Sequence, residues 1–275
     1  TAKLLTSEKL ATLRLYFGVP VGTSEFWIEE QSWADCQGEV NPEDHVGDEC
    51  WLSLDLSKKN DLTALTAIWK KTEPNVRLFE HTWYYTTKDH LKEREIDDHE
   101  PYSMWVEEGI LNAVPGAVID LDFVAMQVKQ ICAVHNVQYL AFDSAMMEQF
   151  IKACDDIGFP VWKYEGPEEP EGDGLKLVPH AQGTKAVFRD GVLSMPKSVS
   201  ALEDVILDKS ITINKTKVTE MCARNACVMT DAQNNKAFDK KRSRGRIDGI
   251  VTIAMGVGAA MSVAAAEKSF WETAR

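Results

Sequence analysis

The order in which hydrophobic periodicity changes along the chain limits its fold more than any other feature. Leu52, Leu54 and Leu56 alternate with Ser53, Asp55 and Ser57, the two-residue period of a strand with one face against a core. LTALTAIWK and VRLFEHTWYY repeat the strand signal on either side of the turn-like KTEPN, so three consecutive hairpin-linked strands are expected. The pattern then alternates. IDLDFVAMQVKQICAVHN has helical spacing behind an Asp cap, VQYLAFD is a short apolar strand, AMMEQFIKACDDIG a helix and PVWKY another strand. Strands joined through helices pair in parallel, because the crossover returns the chain to the same end of the sheet. The expected class is therefore α/β, with a mixed central sheet, three antiparallel strands followed by parallel ones, flanked by helices.

Other segments are read more coarsely. KDHLKEREIDDHEPYSMWVEEG is expected as a charged, solvated helix-and-loop insert, EGPEEPEGDG as a polar loop, SVSALEDVILD as a helix, and ACVMTDAQNNKAF as a hairpin turning at QNN. The first fifty residues scatter aromatics among Gly, Pro and acids, which reads as an extended connector pinned by Phe26, Trp27 and Trp33, with regular structure beginning at Cys50. From Gly249 to Ala266 no residue is charged, yet Gly and Ala gain little from lipid. That run suits a buried helix whose small residues let a sheet or a second helix approach closely.

Composition removes several function classes. With 275 residues and 44% hydrophobic content the chain can bury a sizeable core. A net charge of -13 repels phosphate, so any nucleic-acid contact must be local. The six cysteines include no CxxC pair, which argues for reduced thiols over a disulfide framework or a zinc site. GxSxG is absent, so an acyl-enzyme hydrolase has no support. The start lacks the order of a signal peptide and is not Met, so a fragment of a longer chain is expected.

Three acids occupy unusual places. Asp55 lies within or at the end of the first strand, Asp143 ends the fourth, and Asp248 opens the last helix in RSRGRIDGIVTIAM. Strands are depleted in Asp and an unpaired buried carboxylate is costly, so two strand-end acids in one sheet invite a shared cause. Divalent cations would supply it, because hard oxygen ligands suit Mg2+ or Mn2+ and two such ions can serve phosphodiester hydrolysis. Each acid also has a plainer reading: Asp55 as a turn residue before SKKND, Asp143 as a helix cap, and Asp248 as a partner of the helix dipole.

The succession DLSKKNDLTAL, PYSMWVEEGILNAVPGAVID, YLAFDSA and KKRSRGRIDGIVTIAMGVGAA, spanning about residues 48–265, resembles the nuclease domain of the large terminase subunit of tailed bacteriophages. The resemblance implies a ribonuclease H-like fold and a two-metal endonuclease that cuts double-stranded DNA concatemers with little sequence preference during genome packaging. It places Asp55, Asp143 and Asp248 as catalytic metal ligands for two Mg2+ or Mn2+ ions. Asp61 matches an accessory acid of some members, against a simple turn role. The phosphate loop GxxxxGK[ST] of the usual motor domain is missing, so residues 1–47 are expected as a connector to an absent ATPase and residues 48–275 as the nuclease. Implied partners are double-stranded DNA, the ATPase motor, the small terminase subunit and the portal protein, in the cytoplasm of an infected or prophage-carrying bacterium, with no membrane.

KKRSRGR places five cations in seven positions directly before Asp248. Beside a metal ligand, Lys240, Lys241, Arg242, Arg244 and Arg246 are candidates for sequence-independent phosphate contacts, although short basic runs are commonly just solvated surface. The hairpin before them is a candidate cover for the DNA path, with Asp231 read as a turn acid in preference to a fourth ligand. His180 is a weak candidate for orienting water or substrate. Two competing functions remain: a junction resolvase on the same three acids, and a non-catalytic docking module of the packaging machine.

Overall fold

The computed structural model describes residues 27–57, 61–166, 172–184, 193–243 and 245–272, with side chains up to residue 262. Its centre is strand β2 (Glu49–Asp55), flanked by antiparallel β3 (Thr63–Lys71) and parallel β6 (Asn136–Phe142). Beyond β3 lies antiparallel β4 (Arg77–Thr87), which completes the expected three-strand meander. Strand β5 (Asn112–Val114) pairs in parallel with the end of β4.

Both faces of β2 and β3 are buried, so the residues between the leucines of β2 are covered as well, and those on the second face are apolar, small or polar with a buried partner. Cys50, Leu52 and Leu54 pack with Leu65 and Trp69 against the helices Leu121–Val134 and Met147–Asp156. Trp51 and Ile68 point the other way, under the helices Met195–Leu207 and Asp248–Glu272. On that second face the polar side chains find partners: Ser53 Oγ donates to the Thr252 carbonyl at 2.7 Å, and Thr66 Oγ1 lies 2.6 Å from Thr82 Oγ1 and 2.8 Å from Thr252 Oγ1. A buried hydroxyl left without a partner would cost about 1–3 kcal/mol, so this ladder fixes how the last helix lies on the sheet.

That helix, Asp248–Glu272, is the small-residue run, and its glycines explain the composition. A Cβ at Gly256 would sit 2.7 Å from Ile68 and 2.9 Å from Ser53 Oγ, and one at Gly249 would sit 2.3 Å from Tyr84 Oη. The helix lies too close to β2, β3 and β4 for side chains at those points. Among the described residues no helix is long and apolar enough to cross a membrane.

The sheet extends further than expected. LKLVPHA is a strand, β8 (Leu175–Ala181), inserted in parallel between β6 and β7 (Val161–Lys163), and ITIN is a strand, β10 (Ile211–Asn214), parallel to β4. A two-residue strand, β1 (Gln37–Gly38), closes that edge against β10, and β9 (Leu193–Ser194) pairs with the end of β8. The expected hairpin forms from β11 (Val228–Thr230) and β12 (Lys236–Phe238). Its Asp231 carboxylate accepts from the backbone N–H groups of Gln233 and Asn235, the Asx turn anticipated for it.

Two expectations need correction. Regular structure begins before Cys50, with helix Glu30–Ala34, β1 and a 3-10 turn at Pro42–His45; Trp27, Trp33 and Cys36 are buried in the core on the last helix's side. Phe26 and residues 1–26 lie outside the described residues, as do residues 167–171 of the polar loop. The charged insert is not simply solvated. Its helices Leu91–Asp98 and Tyr102–Glu107 bury Tyr102 and Trp105 against Leu62, Tyr84 and helix Lys217–Asn225, and Arg94 donates to Thr86 and Thr87. Two aromatic side chains, each worth about 1.5–3 kcal/mol when buried, outweigh the charge pattern that suggested exposure.

Candidate metal centre

Strand β2 and its parallel neighbour β6 end together. Leu54 pairs with Phe142, so Asp55 and Asp143, the next residue in each segment, leave the sheet side by side at its carboxyl end. Asp248 is the first residue of the last helix, and its carbonyl accepts from Thr252 Oγ1 at 3.1 Å, so the ladder that docks the helix also fixes Asp248. Acids separated by up to 193 positions are thus gathered at the carboxyl end of the central strands, Asp55 joined to Asp248 through Lys240 and Asp143 acting on Asp55 through its charge. The side-chain carboxylate of Asp143 also accepts from Ala145 N at 3.4 Å, but the cap of the next helix is Met146, not Asp143.

Asp55 and Asp248 are 6% and 2% exposed, yet both are acids. Lys240 holds them together: its Nζ lies 2.8 Å from Asp55 Oδ2 and 3.1 Å from Asp248 Oδ1. The other oxygen of Asp248, Oδ2, is buried without a hydrogen-bond partner. Burial pushes the Asp55 carboxyl up, Lys240 opposes that, and the charges of Asp143 and Asp61 add to it. Asp248 is pushed up to about 7, first by burial and then by the charge of Asp55, again against Lys240. Burial works against the Lys240 ammonium, but the two carboxylates outweigh it and hold the ammonium firmly charged. One cation for two buried carboxylates, with a third acid adjoining, leaves the pocket short of positive charge.

Asp61 sits one shell further out. Arg246 Nη1 donates to Asp61 Oδ1 at 2.7 Å, and Arg246 Nε donates to Asp98 Oδ2 at 3.0 Å, an oxygen that also accepts from Tyr102 Oη at 2.9 Å. The charge of Asp61 raises both Asp55 and Asp248, so it is felt in the pocket although its own partner is an arginine.

The basic run therefore divides. Lys240 and Arg246 have carboxylate partners in this arrangement, Lys240 with Asp55 and Asp248 and Arg246 with Asp61 and Asp98. Lys241 and Arg242 are exposed, Arg242 lying 3.6 Å from Asp239, and Arg244 lies outside the described residues. His180 is buried on β8 with Nε2 2.8 Å from Ser198 Oγ, and burial lowers it to about 4. It is a core histidine facing other partners. Spacing carried no signal for Lys240 or Asp98: both act through contacts that only the fold creates.

As the side chains stand, no three His, Cys, Asp or Glu groups among the described residues converge tightly enough to grip an ion. The pocket nevertheless fits a hard divalent cation. Its donors are carboxylate oxygens, a cation already stands between two of them, and one buried oxygen lacks a partner.

Comparison with known proteins places the chain. The family model described as the terminase large subunit, endonuclease domain, matches residues 8–164. The large terminase subunit of Enterobacteria phage HK97 is 36% identical over 210 residues, which is 76% of this chain and 37% of that protein. The crystal structure of the HK97 large terminase superposes with a TM-score of 0.70 at 32% identity, covering 84% of this chain and 43% of that one. The chain thus spans about two fifths of the length of these relatives. The nuclease domain of g2p, the large terminase of bacteriophage SPP1, in a structure with bound Mn, overlaps at a TM-score of 0.43 and 12% identity, covering 82% of this chain and 94% of that one. On the family match and the HK97 relationship, this mixed α/β, ribonuclease H-like chain belongs to the endonuclease domains of terminase large subunits.

Proposed function

We propose that the chain is a metal-dependent endonuclease that hydrolyses double-stranded DNA with little sequence preference, with Asp55, Asp143 and Asp248 as its metal ligands. One observation carries this reading: two nearly fully buried carboxylates, from the second strand and the last helix, converge on a single cation beside a third strand-end acid. Bound there, two Mg2+ or Mn2+ ions would supply Lewis acidity toward the scissile phosphodiester and the attacking water. Asp55, central in the sheet, is the natural shared ligand, and Asp248 offers the oxygen that lacks a partner. Asp61 tunes the pocket by its charge and is kept in place by Arg246. Lys241 and Arg242 are the described cations of the basic run positioned to meet phosphate without reading sequence.

In the full packaging machine the expected setting is an ATPase motor reached through the first 47 residues, the small terminase subunit and the portal protein, in the host cytoplasm. The test is supercoiled-plasmid nicking by the purified chain with Mn2+. Parent protein is expected to nick, and Asp55→Ala, Asp143→Ala and Asp248→Ala each to lose at least about a hundredfold, as removal of a transition-state charge partner does. Variants that nick at the parental rate while folded would sink the assignment. A strong preference for branched junctions over linear duplex would favour a resolvase, and absence of both metal binding and nicking would favour a docking module.

A further inference from the structure

Lys240 is ordinarily the kind of residue that would be counted among DNA contacts, yet its ammonium lies inside the acid pocket. It touches Asp55 Oδ2 at 2.8 Å and Asp248 Oδ1 at 3.1 Å, while its side chain is still half exposed at the head of the exposed turn with Lys241 and Arg242. Its fit is incomplete. A single ammonium reaches one oxygen of each acid and leaves Asp248 Oδ2 buried and unpaired, so the pocket's oxygens outnumber what Lys240 can satisfy.

We propose that Lys240 is a built-in counter-ion that a divalent metal must displace, so that metal loading evicts its ammonium from between Asp55 and Asp248 and presents it to DNA phosphate beside Lys241 and Arg242. This rests on the metal reading of the same acids. The divalent ion and the ammonium need the same carboxylate oxygens, and two cations in one buried pocket repel strongly. Displacement carries no covalent change; the half-exposed stem gives the ammonium a path outward by rotation of its own side chain. The consequence is reciprocal coupling: metal frees a phosphate contact, and DNA that engages the freed lysine strengthens metal binding. The metal-free chain keeps its two buried acids neutralised in part until metal and substrate arrive.

The test is calorimetric titration of Mn2+ alone into the parent chain and into Lys240→Met, with Asp248→Asn as the control that removes a ligand. Lys240→Met is expected to bind Mn2+ about tenfold tighter than parent, within the range usual for coupled sites. Equal or weaker binding by a folded Lys240→Met overturns the proposal; a clear weakening would make Lys240 a positioning residue of the site instead. Because the variant loses the counter-ion of two buried acids and is at risk of misfolding, the parent is also probed by amine-reactive mass labelling. Lys240 is expected to be slow to label in chelator and several-fold faster with Mg2+, whereas an unchanged rate in protein that binds Mg2+ overturns the displacement. If neither parent nor variant binds metal, the metal reading itself fails and this inference with it, an outcome distinct from metal binding that ignores Lys240.

Discussion

Gly249, the residue after Asp248, offers a way to move the candidate centre without touching any acid. A methyl group placed there would lie 2.3 Å from Tyr84 Oη, 2.8 Å from Cε1 and 2.9 Å from Cζ. Ordinary carbon contacts are about 3.5–4.0 Å, so the Gly249→Ala variant must open the interface by roughly 1 Å. Tyr84 has little room to retreat: it is fully buried on β4 and its hydroxyl lies 2.9 Å from Thr219 Oγ1. Overpacking of this kind costs about 1–3 kcal/mol, which for a chain of this size lowers the melting temperature by about 2–12 °C. The functional loss should be larger than the stability loss, because a 1 Å shift of the helix start carries Asp248 with it, and misplacement by that amount can cost about a hundredfold in rate. Melting in chelator and plasmid nicking with Mn2+ at a temperature well below the melt separate the two effects. The double variant with Tyr84→Phe removes the nearest atom but leaves the ring carbons, so it should recover part of both losses. If Gly249→Ala melts within 1 °C of parent and nicks at the parental rate, the close approach does not position Asp248 as argued.

Other outcomes follow from the same geometry. Glu80 is fully buried, accepts from Thr82 Oγ1 and Asn214 N, and is pushed up by burial to about 7. A carboxyl raised on folding is destabilising once ionised, so its penalty grows from about pH 4.5 and is complete above about pH 7; Glu80→Gln should be close to parent at pH 4.5 and more stable at pH 8 by at most about 3 kcal/mol in urea unfolding. A constant difference across that range would refute the burial argument. Arg246→Ala leaves Asp98 and Asp61 without their shared cation and should cost about 1–3 kcal/mol, mainly through the more buried Asp98, while changing duplex affinity little. Lys241→Gln with Arg242→Gln should do the reverse: stability stays level, and the slope of log affinity against log salt falls by about 1.8, as loss of two phosphate contacts requires. Fluorescence anisotropy with a duplex across a salt series distinguishes the pair.

The central sheet was legible because its signals are local. Leu52, Leu54 and Leu56 set the phase of β2, and that phase put Asp55 on the opposite face, where it now lies under the last helix rather than in solvent. Strand β8 carries a weak local signal because Pro179 and His180 interrupt its apolar run; Pro179 is the last residue in register with β6, opposite Phe142. The four residues of β10 carry too little pattern to stand alone and become a strand only through pairing with β4 on one side and β1 on the other. The three acids could be placed from their element ends. Their electrostatic partners could not, since Lys240 reaches Asp55 across 185 positions and Arg246 reaches Asp61 across the same separation. A basic run read along the chain looks solvated; folded, it supplies two internal struts, Lys240 and Arg246, and leaves Lys241 and Arg242 outside.

The last helix brings in Asp248 only after every strand of the sheet has been laid down, and that order bears on safety during synthesis. A ribosome-bound chain that has not yet released residue 248 has Asp55 and Asp143 but neither the third acid nor, until residue 240 emerges, the lysine, and it lacks the helix that covers one face of β2, β3 and β4. On the proposed reading, such an intermediate has neither the packed sheet face nor the full set of acids needed to cut the nucleic acid crowded around it. A fragment ending at residue 247 should accordingly leave plasmid intact, and mixing it with a synthetic peptide of residues 248–262 is the direct way to ask whether the blade can be supplied last.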